Sequence, residues 1–320
     1  MKKIILFAAV VITILSCQND STDSASPTTN AISNRGCASQ EVLEAQMIAD
    51  PTLAIRMNEI EAFTQNTISK SNFRLVSGKI VIPVVVNVLY RTAAENISDA
   101  QIQSQIDVLN KDFTATNSDF NTIPALFAGV AANVDITFEL VKINRKATTK
   151  TSWGTRDTMK KTKQGGLDPT SPTTNLNLWV CTIGGGILGY AQFPGGSSST
   201  DGVVCDSKYV GVTSNTGGAY PYNLGRTATH EVGHWMNLRH IWGDATCGSD
   251  LVSDTPTHNT SNYGVPAYPH YSTCTGTPIE MTMNYMDYTD DRGMYMFTLG
   301  QKTRMSALFV SGGARAAFGI

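Results

Sequence analysis

The stretch His230-Glu231-Val232-Gly233-His234-Trp235-Met236-Asn237-Leu238-Arg239-His240 decides how the rest of the chain is read. It follows the pattern H-E-x-x-H-x-x-N-x-x-H. On an α-helix, positions four apart share a face, so His230 and His234 can aim two imidazoles at one point. Glu231, next to the first of them, can reach a water on a bound metal without being a ligand itself. His240 comes six residues after His234, too far along a straight helix to return to the same point. The chain must therefore turn sharply near Asn237, at a residue that tolerates positive φ; glycine is the first choice there and asparagine the second. Three of the chain's five histidines fall in these eleven residues, which a chance pattern on an amphipathic helix would not produce. A structural zinc site closes with four protein ligands, often cysteines, whereas three imidazoles leave a position open for water. The stretch reads as an open zinc site with a bend built into it.

Around it lies a chain of 320 residues, 41% hydrophobic and 16% charged, which suits one medium-sized globular domain with short extensions. A formal net charge of −2 and the absence of any basic run or tail argue against nucleic acid as a partner. Met1-Lys2-Lys3 and the apolar residues 4–15 read as a secretory signal, too short for a membrane-spanning helix. Ile14-Leu15-Ser16-Cys17 is similar to a bacterial lipoprotein signal, in which Cys17 is acylated; ordinary cleavage with full secretion is the alternative. The expected division is a signal at 1–16, a Ser-, Thr- and Asn-rich tether at 17–36, a small helical segment at 37–78 and a catalytic domain at 79–320. The membrane enters only through the N-terminal anchor.

Periodicity supplies the elements. Asp50-Pro51 resembles a cap with proline at the first helical position, and Leu53, Met57, Ile60 and Phe63 recur at helical spacing. Residues 79–88 are rich enough in Val and Ile to form a buried strand, with Pro83 hinting at an edge or a bulge. Ser98 and Gln101 form a capping box before the stripe Ile102, Ile106, Leu109 and Phe113. Further strands are expected at 135–141, 176–180, 188–194 and 202–205, and a helix over 223–238. The fold class is α+β, a mixed, twisted sheet with the zinc helix and an irregular C-terminal subdomain.

The run 230–240, within THEVGHWMNLRHIWGD, resembles the extended zinc-binding motif of the metzincin metallopeptidases, in their pappalysin (ulilysin-like) branch. The usual motif has glycine where this chain has Asn237. The resemblance implies a secreted or surface-anchored zinc endopeptidase acting on proteins or peptides. Met283-Asn284-Tyr285-Met286-Asp287-Tyr288 is similar to the Met-turn of that clan, which would put Met286 beneath the zinc and the Tyr288 phenol beside it. The family's preference for cleaving before arginine would fall to Asp290 or Asp291. Strand 188–194 would line the cleft and receive an extended peptide. Asn34-Arg35-Gly36-Cys37 is similar to the Arg-x-Cys element with which family precursors block zinc, giving Cys37 that role and making 37–78 a prosegment, cleaved around 64–79 with Arg74 a candidate bond. A calcium site at Asp244, Asp250 and Asp254 rests on the same resemblance, with a solvated acidic loop as the alternative.

Cysteine arithmetic is independent of the resemblance. With Cys17 set aside, Cys37, Cys181, Cys205, Cys247 and Cys274 remain, an odd number. By position the pairs are Cys247 with Cys274 and Cys181 with Cys205, leaving Cys37 as a zinc-blocking thiolate or as a thiol with no role. The mechanism expected is attack by a zinc-activated water, with Glu231 as general base and Tyr288 steadying the oxyanion. Two rivals stand beside it: a catalytically inactive metal-binding surface lipoprotein, and a zinc hydrolase acting on a substrate other than a peptide.

Overall fold

Strands with a period of two and both faces apolar build the centre of this protein. The computed structural model describes residues 34–69, 80–214 and 218–318. The expected signal, Cys17, most of the tether and Arg74 lie outside the described residues. An N-terminal arm carries helices α1 (Ser39–Ala49) and α2 (Thr52–Ser69). Then come β1 (Ile80–Tyr90), α3 (Asp99–Phe113), α4 (Ala125–Ala128), β2 (Ala131–Ala132), β3 (Ile136–Ala147), β4 (Leu176–Cys181), β5 (Gly189–Ala191), β6 (Val203–Asp206), α5 (Arg226–Trp235), β7 (Phe297–Thr298) and α6 (Leu299–Ser306). The main sheet has the order β3-β1-β4-β6-β5; the first four strands are parallel and β5 runs antiparallel at the edge. The sheet is mixed, as expected, and mostly parallel.

Each strand divides its residues between two cores. Ile82, Val84, Val86 and Val88 of β1, Leu176, Leu178 and Val180 of β4, and Val203 and Cys205 of β6 face the helices α3 and α5. Leu89, Trp179, Cys181 and Val204 face the other way, onto Trp153 and Met159 and onto Ala38 and Val42 of the arm. Burying one such Val, Leu or Ile contributes about 1.5–3 kcal/mol, so a strand apolar on both sides belongs inside the sheet. β1 is accordingly an interior strand despite Pro83. Pairing with β4 begins only at Val84, and the register against β3 slips between Val84 and Val85, so the proline's missing N–H falls beside a bulge.

This alternation overturns one expected disulfide. Cys247 and Cys274 are joined, but Cys181 and Cys205 are separate buried thiols. On the paired strands Cys181 stands opposite Asp206 and Cys205 opposite Val180. One residue of offset sends the two side chains to opposite faces of the sheet, where no bond can form.

Helix α3 sets the position of α5. Ile102, Ile106, Leu109 and Phe113 are buried as its stripe requires. Only half of the expected capping box is present: Ser98 accepts from the Gln101 N–H, while the Gln101 side chain donates to the Val210 carbonyl. Gln105 and Asp112, also buried, bond the Gly225 carbonyl and the Thr229 hydroxyl at the start of α5. The full capping box belongs to α6, between Thr298 and Gln301.

Helix α5 stops where the sequence requires a turn. Asn237 has φ of 67°, its N–H bonds the His234 carbonyl (2.9 Å), and the Leu238 N–H reaches back to the Gly233 carbonyl (3.0 Å). These two bonds form a Schellman motif with asparagine in the left-handed position. Asn237→Gly should therefore leave stability nearly unchanged, whereas Asn237→Val should cost about 1–2 kcal/mol in chemical denaturation. Equal effects of the two would show that the turn does not depend on its left-handed residue. Denaturing the unreduced protein with an alkylating reagent should label Cys37, Cys181 and Cys205 while sparing Cys247 and Cys274. Protection of Cys181 and Cys205 as well would restore the second disulfide.

Candidate metal centre and active site

The turn at Asn237 brings three imidazoles together. His234 Nε2 lies 3.1 Å from Nε2 of His230 and 3.1 Å from that of His240. Each ring is oriented from behind by an acceptor: the Tyr285 carbonyl for His230 Nδ1 (2.7 Å), the Leu238 carbonyl for His234 Nδ1 (2.8 Å) and Asp244 Oδ1 for His240 Nδ1 (2.5 Å). An Nδ1–H given to these acceptors leaves each Nε2 as a bare lone pair. All three rings are buried. Burial, followed by the neighbouring histidines, pushes His230 well below its ordinary pKa; burial and His240 push His234 down to about 3. Three neutral nitrogens with facing lone pairs repel one another unless a cation sits between them.

The donor set fits zinc. Ligands of a tetrahedral zinc at about 2.0–2.1 Å lie roughly 3.3 Å apart, close to the separations here. The Cys37 Sγ completes the set: among the described residues, Cys37, His230, His234 and His240 form the one cluster of metal-ligating side chains, their donor atoms all within 4.8 Å of each other.

Below and beside the imidazoles lies the 283–288 turn. Met286 is fully buried and its carbonyl receives the Ile241 N–H (3.1 Å). A Cβ at Gly233 would come within 2.5 Å of its sulfur, so glycine allows the helix to sit directly on this residue. Tyr288 packs against the His240 ring at 4.9 Å and the His230 ring at 5.7 Å. Burial, with Cys37 and Glu231 next, raises its phenol well above the ordinary value and keeps it a donor. Trp242, which no sequence pattern singled out, stacks on His240 at 4.4 Å and meets Tyr288 at 4.7 Å.

Glu231 faces β5. At Gly189 a Cβ would stand 2.9 Å from the Val204 carbonyl and 3.0 Å from the Glu231 Cγ, so only glycine lets the edge strand approach the carboxylate. Burial raises the Glu231 carboxyl to about 7, against the lowering hydrogen bonds of Ser39 and Cys37. Ser39 Oγ donates to its Oε2 (2.8 Å), and Cys37 Sγ lies 3.4 Å from the same oxygen.

The arm occupies the rest of the groove. Leu188 N–H bonds the Gly36 carbonyl (2.8 Å), Ala38 N–H bonds the Gly189 carbonyl (3.1 Å), and Ala191 N–H bonds Ser39 Oγ (2.8 Å). The free edge of β5 is thereby paired, with Cys37 opposite Gly189 in a parallel bridge. Tyr288 donates its hydroxyl to the Cys37 carbonyl (3.2 Å). Arg35, 3% exposed, sends Nη2 to Asp291 Oδ1 (2.5 Å), Nε to the Thr289 carbonyl (3.2 Å) and Nη1 to Thr227 Oγ1 (3.3 Å), with its guanidinium over the Tyr222 ring. Asp291 Oδ2 is held by the Leu224 and Arg226 N–H groups. Of the two candidate aspartates, Asp291 lines this pocket; the Asp290 carboxylate is 3.9 Å from Arg292.

The expected calcium trio does not assemble. Asp244 orients His240, Asp250 accepts from Thr255 and the Val252 N–H, and Asp254 accepts from Thr298 and the Gly300 N–H at the start of α6. Three protein donor sets in three places take the oxygens that one cation would need. Sequence reasoning also missed Ser39, Thr227 and Thr289, common polar residues whose part here depends wholly on the arm's path.

The family model described as pregnancy-associated plasma protein-A matches residues 179–310. An extracellular metalloprotease of Pyricularia oryzae is 32% identical over 275 residues, which are 85% of this chain and 86% of that protein. Promirolysin of Tannerella forsythia superposes with a TM-score of 0.81 at 40% identity, covering 89% of this chain and 97% of its own. The mature Tannerella forsythia mirolysin in complex with a cleaved peptide gives a TM-score of 0.73 at 44% identity, covering 76% and 97%. The chain belongs to this family of metzincin metallopeptidases, and it is a zinc metalloendopeptidase.

Proposed function

We propose that this is a secreted endopeptidase, made as a latent precursor, that hydrolyses polypeptides before a basic residue. The observation that carries the reading is the arm: from Arg35 to Ser39 it touches the residues that catalysis would need, with a positively charged side chain in the Asp291 pocket. The extracellular relatives support secretion, and the signal-like residues 1–16 suit it. The greater share of this chain covered by promirolysin than by mature mirolysin supports reading 37–78 as a prosegment.

His230, His234 and His240 would hold zinc, which when bound polarises a carbonyl and lowers the pKa of water toward about 7. Glu231 then takes a proton from the attacking water and passes it to the departing amine. Tyr288 donates a hydrogen bond to the substrate oxygen as negative charge develops on it, an interaction stronger in the transition state than before it. The free edge of β5 receives the substrate main chain as an added strand. Asp291, with Thr227 and the Thr289 carbonyl, receives a basic side chain on the residue after the scissile bond, as it now receives Arg35. Met286 supports the imidazoles from below.

In the precursor the same groups are engaged. Cys37 would be a fourth ligand for zinc in the place of water, Ser39 hydrogen-bonds the base, and the arm takes the strand edge. Glu231→Gln in the arm-free enzyme should keep zinc, measured by metal analysis, and lower peptide hydrolysis by about 10²–10⁴-fold. Near wild-type turnover with zinc retained would remove Glu231 as the base. Cys37→Ala should shorten the lifetime of the full-length chain before it gains activity, and an unchanged lifetime would count against the thiol as the block.

A further inference from the structure

The arm makes a second charged contact, at the other end of α5. Arg35 sits by Thr227 and Asp291, at the helix's start, whereas Glu61 of α2 meets Arg304 of α6 at the turn that ends it. Arg304 has a side chain 1% exposed. Its Nε donates to the Asn237 carbonyl (2.9 Å), Nη1 donates to Glu61 Oε1 (2.9 Å), and Nη2 pairs with Glu61 Oε2. The pair is bidentate, the geometry in which a guanidinium holds a carboxylate best. Burial works against the Glu61 charge. The bonds from Arg304 and Gln65 and the positive charges of Arg304 and Arg239 outweigh it and hold the carboxyl below its ordinary value.

The two partners differ in origin. Arg304 belongs to the body of the enzyme and cannot lose its charge. Among the described residues, the carboxylate within ion-pair distance of it is Glu61, on the arm. When the arm leaves, Arg304 loses that carboxylate, and among the described residues no other lies within ion-pair distance of it. We propose that Arg304 is a carboxylate-binding site of the arm-free enzyme. Glu61 fills it in the precursor, and an acidic side chain of the substrate fills it during turnover, on the side of the scissile bond away from the Asp291 pocket. This rests on the latent-precursor reading above. The direction follows from the arm's course, which runs from the Asp291 pocket past the imidazoles to Arg304. The chemistry mirrors the first pocket: Asp291 reads a cation and Arg304 reads an anion, one at each end of α5.

The test uses arm-free enzyme obtained by activating the full-length chain, so that folding occurs with the arm in place. Matched peptides with arginine after the scissile bond carry Glu or Gln at successive positions before it. The expected result is about a tenfold advantage of Glu over Gln at one position, expressed in KM, lost in Arg304→Met and largely lost in Arg304→Lys. Equal cleavage of Glu and Gln peptides by the wild type, or an advantage that survives Arg304→Met, would overturn the site. Because Arg304 also holds Asn237, zinc content and the preference for arginine after the bond are measured on each variant. Should Arg304→Met fail to fold, the affinity of a synthetic 52–69 peptide for wild-type arm-free enzyme reads the same site. Glu61→Gln in that peptide should weaken binding by about tenfold, and equal affinity refutes the proposal. Loss of the arginine preference with the Glu effect intact would instead count against the Asp291 pocket alone.

Discussion

Three lone pairs aimed at one point are the constraint on which the rest depends. Left to themselves, imidazoles turn away from one another or share protons. Here each is prevented by an acceptor bonded to its far nitrogen, and the three acceptors come from three segments: the Tyr285 carbonyl, the Leu238 carbonyl and the Asp244 carboxylate. The 283–288 turn is thus needed first to orient His230, before any catalytic use of Tyr288. The Schellman turn at Asn237 does two things with one backbone conformation, ending α5 and presenting the Leu238 carbonyl to His234. The elements around the site hold electrostatically unfavourable nitrogens in place, and only a cation relieves that.

The arm gains its hold by answering the site group for group. A thiol faces the imidazoles, a hydroxyl faces Glu231, a guanidinium faces Asp291, and backbone faces the open edge of β5. Each of these body groups would be a buried polar atom with an unmet bond if the arm were apolar. Apolar contacts add to this: Ala38 and Val42 join the core around Trp179 and Met159, Leu43 and Leu53 pack on Phe193, and Ile60 lies against the main core. On the latent-precursor reading, the polar contacts within the groove are the ones for which a peptide substrate competes with the arm.

Legibility followed sequence distance. His230, Glu231, His234 and the bend at Asn237 lie within two turns of one helix, so covalent geometry alone brought them together. The five strands of the main sheet were legible as apolar runs, and the two-residue strands β2 and β7 were not. What could not be read was which side of a sheet a residue faces. Cys181 and Cys205 looked like a pair by position, and one step of register separates them. The three acidic residues after His240 looked like one cation site, but each has a protein donor of its own, Asp254 at a helix start 46 residues away. Between Asp290 and Asp291 the sequence offered no choice. In the structure the Leu224 and Arg226 N–H groups draw the Asp291 carboxylate inward, where Arg35 meets it. The Glu61–Arg304 contact spans 243 positions and leaves no trace in local pattern.

The same distances bear on how latency would end. In the latent form proposed, a cut between α2 and β1 leaves the described contacts of the arm with the body in place. Arg35 stays on Asp291, Cys37 on the imidazoles and Glu61 on Arg304, and the chain on either side of the cut is free to remain docked. What the cut changes is effective concentration: a tethered arm rebinds as an intramolecular group at millimolar levels or above, whereas a severed one is diluted. The two ion pairs then matter more than before, since they stand at opposite ends of α5 and each must open for the arm to leave. Opening one leaves the other to hold the arm near the groove, so release is steep only when both are lost together. On the two proposals made above, a basic residue beyond the scissile bond of an incoming polypeptide competes for one end, and an acidic residue before it for the other.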